Sequence, residues 1–181
     1  MTLELWNVVF SAATFTVIAV TAVAATIQLR HLRASNQLTA LVTLLEDWQK
    51  PEMQAWVQFV RGGELAQRLQ DPDYLRNLSE TRSDRSLHPW IHICDYYEQL
   101  GSYVKYGLVD KPSFFDVSSI TVSALYRALQ PCIERMREVG KNQTLFENFE
   151  YLAVEAWLWI KAHPNGAYPA GVPHYGDLKA Q

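Results

Sequence analysis

No charged residue occurs between Glu4 and Arg30, and the uncharged run of residues 5–29 reaches roughly 37 Å at about 1.5 Å per residue. A bilayer's hydrocarbon core is about 30 Å thick. The run is therefore long enough to cross a membrane as one tilted helix. Arg30, His31 and Arg33 flank its C-terminal end only, and a basic flank stays on the cytoplasmic side. The expectation is a single-pass protein of the cell inner (cytoplasmic) membrane, with its N-terminus outside and its C-terminal domain in the cytoplasm. A cleaved signal peptide is the competing reading, because Ala22-Val23-Ala24 imitates a small-residue cleavage site. Such peptides begin with basic residues, whereas this chain begins with Thr2 and Glu4, and its run exceeds the usual ~7–15 residues. The triplets Asn77-Leu78-Ser79 and Asn142-Gln143-Thr144 read literally as glycosylation sequons, which conflicts with the charge rule.

Helical periodicity continues past the apolar run. Leu29, Leu32, Leu38, Leu41, Leu45 and Trp48 recur at helical spacings, with no Gly or Pro before Pro51, so one helix is expected from about Leu3 to Gln49. The three-four spacing of Leu38, Leu41, Leu45 and Trp48 also resembles a coiled-coil seam. Val42 and Leu44 widen the stripe, which favours packing on the chain's own domain. Pro51 opens a second helix with Met53, Trp56, Val57 and Val60 on one face, ended by Gly62-Gly63. Residues 64–85 are polar and charged and read as a solvated connection with a weak helix and a turn at Asp71-Pro72-Asp73.

Beyond this connection Trp90, Cys94, Tyr97, Gly101, Val104 and Leu108 mark the core face of a third helix. Gly101 inside it costs about 1 kcal/mol against Ala, a cost accepted where another backbone approaches. Gly107 suits a left-handed stop. Ser113 with Asp116 resembles a capping box for a fourth helix, whose stripe is Val122, Leu125, Leu129, Cys132, Ile133 and Met136, with a kink expected near Ala128 because Pro131 lies inside it and Gly140 as its end. Thr144 and Glu147 form a second capping-box signature. The fifth helix then carries Leu145, Phe149, Leu152, Ala153, Ala156 and Ile160 inward, and Tyr151, Val154 and Leu158 on its back. That back face is either central in the bundle or open to a partner. The fold class is all-α, an N-terminal transmembrane helix continuing into a long helix that packs in a soluble bundle of four to five helices. The divisions are residues 1–29 as anchor, 30–163 as cytoplasmic helical domain and 164–181 as an irregular tail containing Gly and Pro.

Candidate chemistry is sparse. The net charge of −3 is spread along the 181 residues, which excludes the basic field that nucleic acid requires. His88, His92 and Cys94 are close in sequence, yet His92 and Cys94 point roughly 160° apart on a helix at about 100° per residue. They read as surface histidines beside a buried thiol, and no metal site is assigned. Asp95 with Glu98 and Glu147 with Glu150 have the spacing of wet helix faces. Glu98 alone borders a core stripe, among Tyr96, Tyr97 and Tyr103, and there it needs a partner such as Arg127, Arg135 or Arg137. Phosphate loops, nucleophile elbows, Cys-x-x-Cys and His-Glu-x-x-His are all absent from the sequence. Catalytic, cofactor-binding and metal residues are each assigned as none.

The run Tyr96-Tyr97-Glu98-Gln99-Leu100-Gly101, followed by Val104-Lys105-Tyr106-Gly107-Leu108-Val109-Asp110, resembles a bacterial family designated domain of unknown function 4760. Phe146-Glu147-Asn148-Phe149-Glu150-Tyr151-Leu152-Ala153 and Gln28-Leu29-Arg30 fit the same resemblance, which covers most of residues 20–160. It implies a membrane-anchored helical protein and carries over no activity and no catalytic residue. The expected function is a non-catalytic interaction module, a scaffold or accessory subunit of a membrane assembly. Its partners are the lipid bilayer through residues 5–29 and another protein or a second copy. The alternatives are an enzyme with an inter-helix site near Glu98 and Tyr103, or a membrane-perturbing effector of a bacterial stress or defence system acting through Thr14, Thr16, Thr21 and Thr26.

Overall fold

A computed structural model describes residues 3–76, 78 and 83–178. The elements are α1 (Leu3–Gln49), α2 (Pro51–Arg61), α3 (Glu64–Arg68), α4 (Trp90–Lys105), α5 (Lys111–Gly140), α6 (Glu147–Ala162) and α7 (Tyr175–Leu178), with no strand among the described residues. The chain divides into two units, Met1–Val42 and Thr43–Gln181.

In the first unit the helix runs without a break, as its uninterrupted periodicity predicts. The stretch Trp6–Leu32 is long and apolar enough to cross a membrane, and none of it is buried. Phe15 is 72% exposed and Val8 68%. A helix that is apolar on all sides requires a protein core or lipid around it. The hydroxyls of Thr14, Thr16 and Thr21 each donate 2.8 Å to the carbonyl one turn back, and that of Thr26 does so at 2.9 Å. These donors are thereby satisfied within the helix.

The second unit starts with the last turns of α1. Trp48 packs on Tyr96 and Tyr97, with ring centroids 6.0 and 5.9 Å away, and the Tyr96 hydroxyl donates to the Leu44 carbonyl at 3.0 Å. This end of the stripe packs on its own domain; the side chains of Leu38 and Leu41 lie outside the described residues. Pro51 occupies the first turn of α2, which buries Met53, Val57 and Val60. The charged connection is less solvated than its composition suggests. Leu65, Tyr74 and Leu78 are buried, and the Tyr74 hydroxyl donates to the Leu87 carbonyl at 3.1 Å, so apolar anchors fasten an otherwise polar segment. The sequon at Asn77 falls largely outside the described residues.

Helix α4 buries Trp90, Cys94, Tyr97, Gly101 and Val104 as the spacing predicts. Leu108 departs from that stripe and is exposed, because the helix has already stopped. Gly107 takes φ +69°, the Leu108 amide bonds back to the Tyr103 carbonyl at 2.9 Å and the Gly107 amide to Val104 at 3.2 Å. That pair of bonds is a Schellman stop.

The start of α5 corrects the Ser113–Asp116 expectation. Asp110 is the cap: its carboxylate accepts from the Ser113 amide at 3.0 Å and the Ser113 hydroxyl at 2.6 Å. An acceptor is needed one position before the helix, where Asp110 stands and Ser113 does not. The helix continues through Pro131 and buries Phe115, Val122, Leu125, Leu129, Cys132 and Ile133. Its last residue is Gly140, as expected, with the left-handed position one residue farther on. Gly140 remains helical and Lys141 takes the left-handed position at φ 52°. A side chain there is disfavoured, so Lys141→Gly is expected to stabilise the domain by about 0.5–1 kcal/mol, read as a higher denaturant midpoint with unchanged slope.

Helices α5 and α6 form a hairpin whose core contains Phe115, Leu125, Leu129, Phe149 and Leu152, all fully buried. Arg137 fastens the closed end, donating from Nε to the Leu145 carbonyl at 2.9 Å and placing Nη2 2.7 Å from Glu150. Lys111 and Glu155 pair at 2.7 Å farther along. Beyond α6 the chain is irregular except for the single turn α7, and its residues up to 177 are exposed apart from His163.

Candidate functional site

The carboxylate singled out by the sequence, Glu98, meets the start of α6. Its Oε2 accepts from the backbone amides of Asn148 at 2.9 Å and Phe149 at 3.0 Å, and its Oε1 accepts from the Asn148 side-chain amide at 2.7 Å. These amides belong to the first turn, whose donors have no intrahelical acceptor. The residue at the cap position, Phe146, is apolar, buried and left-handed at φ 58°, and has no oxygen on its side chain to offer. Glu98 does from another helix what an N-cap Ser or Asp does locally.

This geometry corrects two expectations. Thr144 and Glu147 do not form a capping box; Thr144 instead donates its amide and hydroxyl to Asn142 Oδ1, at 3.0 and 2.8 Å. Glu98 is held by amides rather than by Arg127, Arg135 or Arg137. Gly101 makes the contact possible. A Cβ placed on it would lie 2.2 Å from the Asn148 carbonyl oxygen, so the backbone of α6 occupies the space a side chain would need. Glu98 and Gly101 are one turn apart on α4, and both act on Asn148.

The surrounding tyrosines do not converge on the carboxylate. Tyr97 stacks on Phe149 at 4.9 Å, Tyr96 reaches Leu44, and the Tyr103 hydroxyl accepts from Gln99. The remaining carboxylates are dispersed: Asp95 pairs with Arg85, Glu150 with Arg137, and Glu147 is exposed. Burial pushes the Cys94 thiol well above its ordinary range and the Cys132 thiol up to about 12, so both stay protonated and unreactive at neutral pH. Among the described residues no group of three or more His, Cys, Asp or Glu is placed to hold a metal. A shallow groove of about 450 Å³ lies along Trp56, Phe59, Gly62, Glu64 and Pro89; its carboxylate, Glu64, is 3.4 Å from Arg68.

A model of the family described as domain of unknown function DUF4760 matches residues 15–157, most of the chain. The chain belongs to that family. No curated protein and no solved structure matches it. The DUF4760 match takes in most of the apolar stretch, Glu98, Gly101 and most of α6, including the Asn148 amides that Glu98 caps.

His92 and Cys94 diverge around α4 as their spacing requires: Cys94 is fully buried and His92 stacks on Trp56, ring centroids 4.1 Å apart. His88 is not a surface residue. It is buried at the start of α4 with its ring 4.6 Å from that of Tyr74. Burial lowers its pKa below 6.5 against the opposing pull of Asp84; burial and Arg85 lower that of His92 against Asp95. A histidine kept neutral in the fold binds fewer protons there than in the unfolded chain. Its stabilising contribution is complete above the unfolded pKa and is lost as pH falls through the folded one. Melting temperature is therefore expected to fall between pH 7.5 and 5.5, and His88→Gln should flatten that slope. An identical slope in the variant contradicts the assignment.

Proposed function

We propose that this protein is a membrane-anchored helical interaction module, a non-catalytic scaffold or accessory subunit of a membrane assembly. It sits in the inner membrane with its N-terminus outside and its helical domain in the cytoplasm. The observation that carries this reading is the exposed apolar stretch Trp6–Leu32 on a helix with Arg30 and His31 at its C-terminal end. The second unit supports a role by contact. Its partly buried carboxylate accepts from three donors at the start of α6, and its thiols are inert.

The threonines support an anchor more than a leak. Thr14, Thr16, Thr21 and Thr26 spread around the helix at about 100° per residue, and their hydroxyls donate to their own backbone, so they line no single polar face. Alkaline carbonate washing of membranes is expected to leave the chain in the pellet, and a reporter fused after Gln181 should be active in the cytoplasm. Release by carbonate, or a mature N-terminus at Ala25, overturns the anchor.

A further inference from the structure

The outer face of α6 is unpartnered and patterned. Val154 is 52% exposed, Trp157 44% and Leu158 48%, although α6 buries Phe149, Leu152 and Ala156 on its other side. Along that outer face the order is Glu147, then Tyr151, then Val154, then Trp157 with Leu158, then Lys161; Glu150, beside Tyr151, is held by Arg137 of α5 at 2.7 Å. Charges and rings are arranged about Val154: seven residues before it is an acid and seven after it a base, and three residues to either side stand Tyr151 and Trp157, large rings able to meet across a pair.

We infer that this face pairs with the same face of a second copy, antiparallel, with the two-fold axis at Val154. In that register Val154 meets itself, Tyr151 meets Trp157 of the other copy, and Glu147 meets Lys161 twice over. A two-fold interface must be self-complementary in this way, residue i opposite j and j opposite i. The charges supply the complementarity. Glu147 is exposed, and Lys161 rests over the Trp157 ring at 4.1 Å, which keeps the ammonium on the apolar strip. A parallel pairing would instead set Glu147 on Glu147 and Lys161 on Lys161.

The strip is roughly 21 Å long and about 10 Å wide, smaller than the ~800 Å² per partner of a stable free interface. Pairing therefore relies on confinement of both copies to one membrane, which raises their effective concentration. In this respect the inference rests on the anchored-module reading.

The test uses the full chain in native membranes. Under copper phenanthroline, Val154→Cys should give a disulfide-linked dimer. The unsubstituted chain, whose Cys94 and Cys132 are buried, should give none, and neither should Val117→Cys on the outer side of α5. Adding Lys161→Glu or Glu147→Lys to Val154→Cys should each cut the yield roughly fivefold, and adding both should restore it. The substituted side chains are exposed, so the core is untouched. Three results overturn the inference: no dimer at position 154, equal yield at position 117, or failure of the double exchange to restore. A lipid-like emission of a bimane probe attached at position 154 in uncrosslinked protein does so too, by placing the strip on the bilayer. Carbonate resistance of the same membranes reports the anchor separately, so loss of pairing and loss of the anchor are told apart.

Discussion

Glu98→Ala should be the most damaging single substitution of a polar residue, lowering stability by about 2–4 kcal/mol. Bonds to a charged acceptor are worth about 1.5–3 kcal/mol each, and removing a helix cap costs about 0.5–2. Here one carboxylate accepts three bonds at 2.7–3.0 Å, and the first turn of α6 has no replacement acceptor because Phe146 precedes it. For a domain of this size that loss is a fall of about 5–15 °C in melting temperature. Circular dichroism of the purified chain in detergent measures it. Glu98→Gln keeps an oxygen for the amides and should lose less. If Glu98 were instead a solvated surface carboxylate, its removal would move the midpoint by no more than a degree or two.

Gly101→Ala pits two effects of opposite sign against each other. Helix propensity alone predicts that alanine stabilises α4 by about 1 kcal/mol. The contact predicts the reverse, since the new Cβ would lie 2.2 Å from a backbone oxygen and 2.6 Å from its carbon. Neither atom belongs to a flexible side chain, so α4 and α6 must separate, and overpacking of this kind costs about 1–3 kcal/mol or more. Separation also lengthens the Glu98 bonds, so the net effect should be a loss of about 1–3 kcal/mol. A Gly101→Ala chain that melts higher than the parent would show that the approach of the two helices is not close. Combined with Glu98→Ala it should cost less than the sum, because both substitutions act on the same contact to Asn148.

Regular periodicity made most helices legible. The stripes of α2, α4, α5 and α6 are apolar positions at the helical repeat, and burial follows them at Met53, Cys94, Leu125 and Phe149. Helix ends were harder to read, because a cap depends on which oxygen reaches an amide and not on which residue type lies near. Ser113 and Thr144 have the right chemistry in the wrong place; Asp110 and Glu98 supply the acceptors. The left-handed stop after α5 fell on Lys141 although Gly140 is adjacent, so the identity of the more permissive residue did not locate the turn. Glu98 stood out in sequence as a carboxylate beside a core stripe. Its partner did not, because Asn148 is 50 residues away and offers, beside its side-chain amide, a backbone amide that every residue has.

From its sequence alone this chain is an all-helical protein that begins with a stretch able to cross a membrane, because charge exclusion and helical spacing are local properties repeated over many turns. The tertiary structure decided where Glu98 finds its donors, why Gly101 must lack a side chain, and that the back of α6 stays open. The first two depend on segments distant in sequence meeting within bonding distance and the third on no segment among the described residues packing there, and chain periodicity carries no record of either.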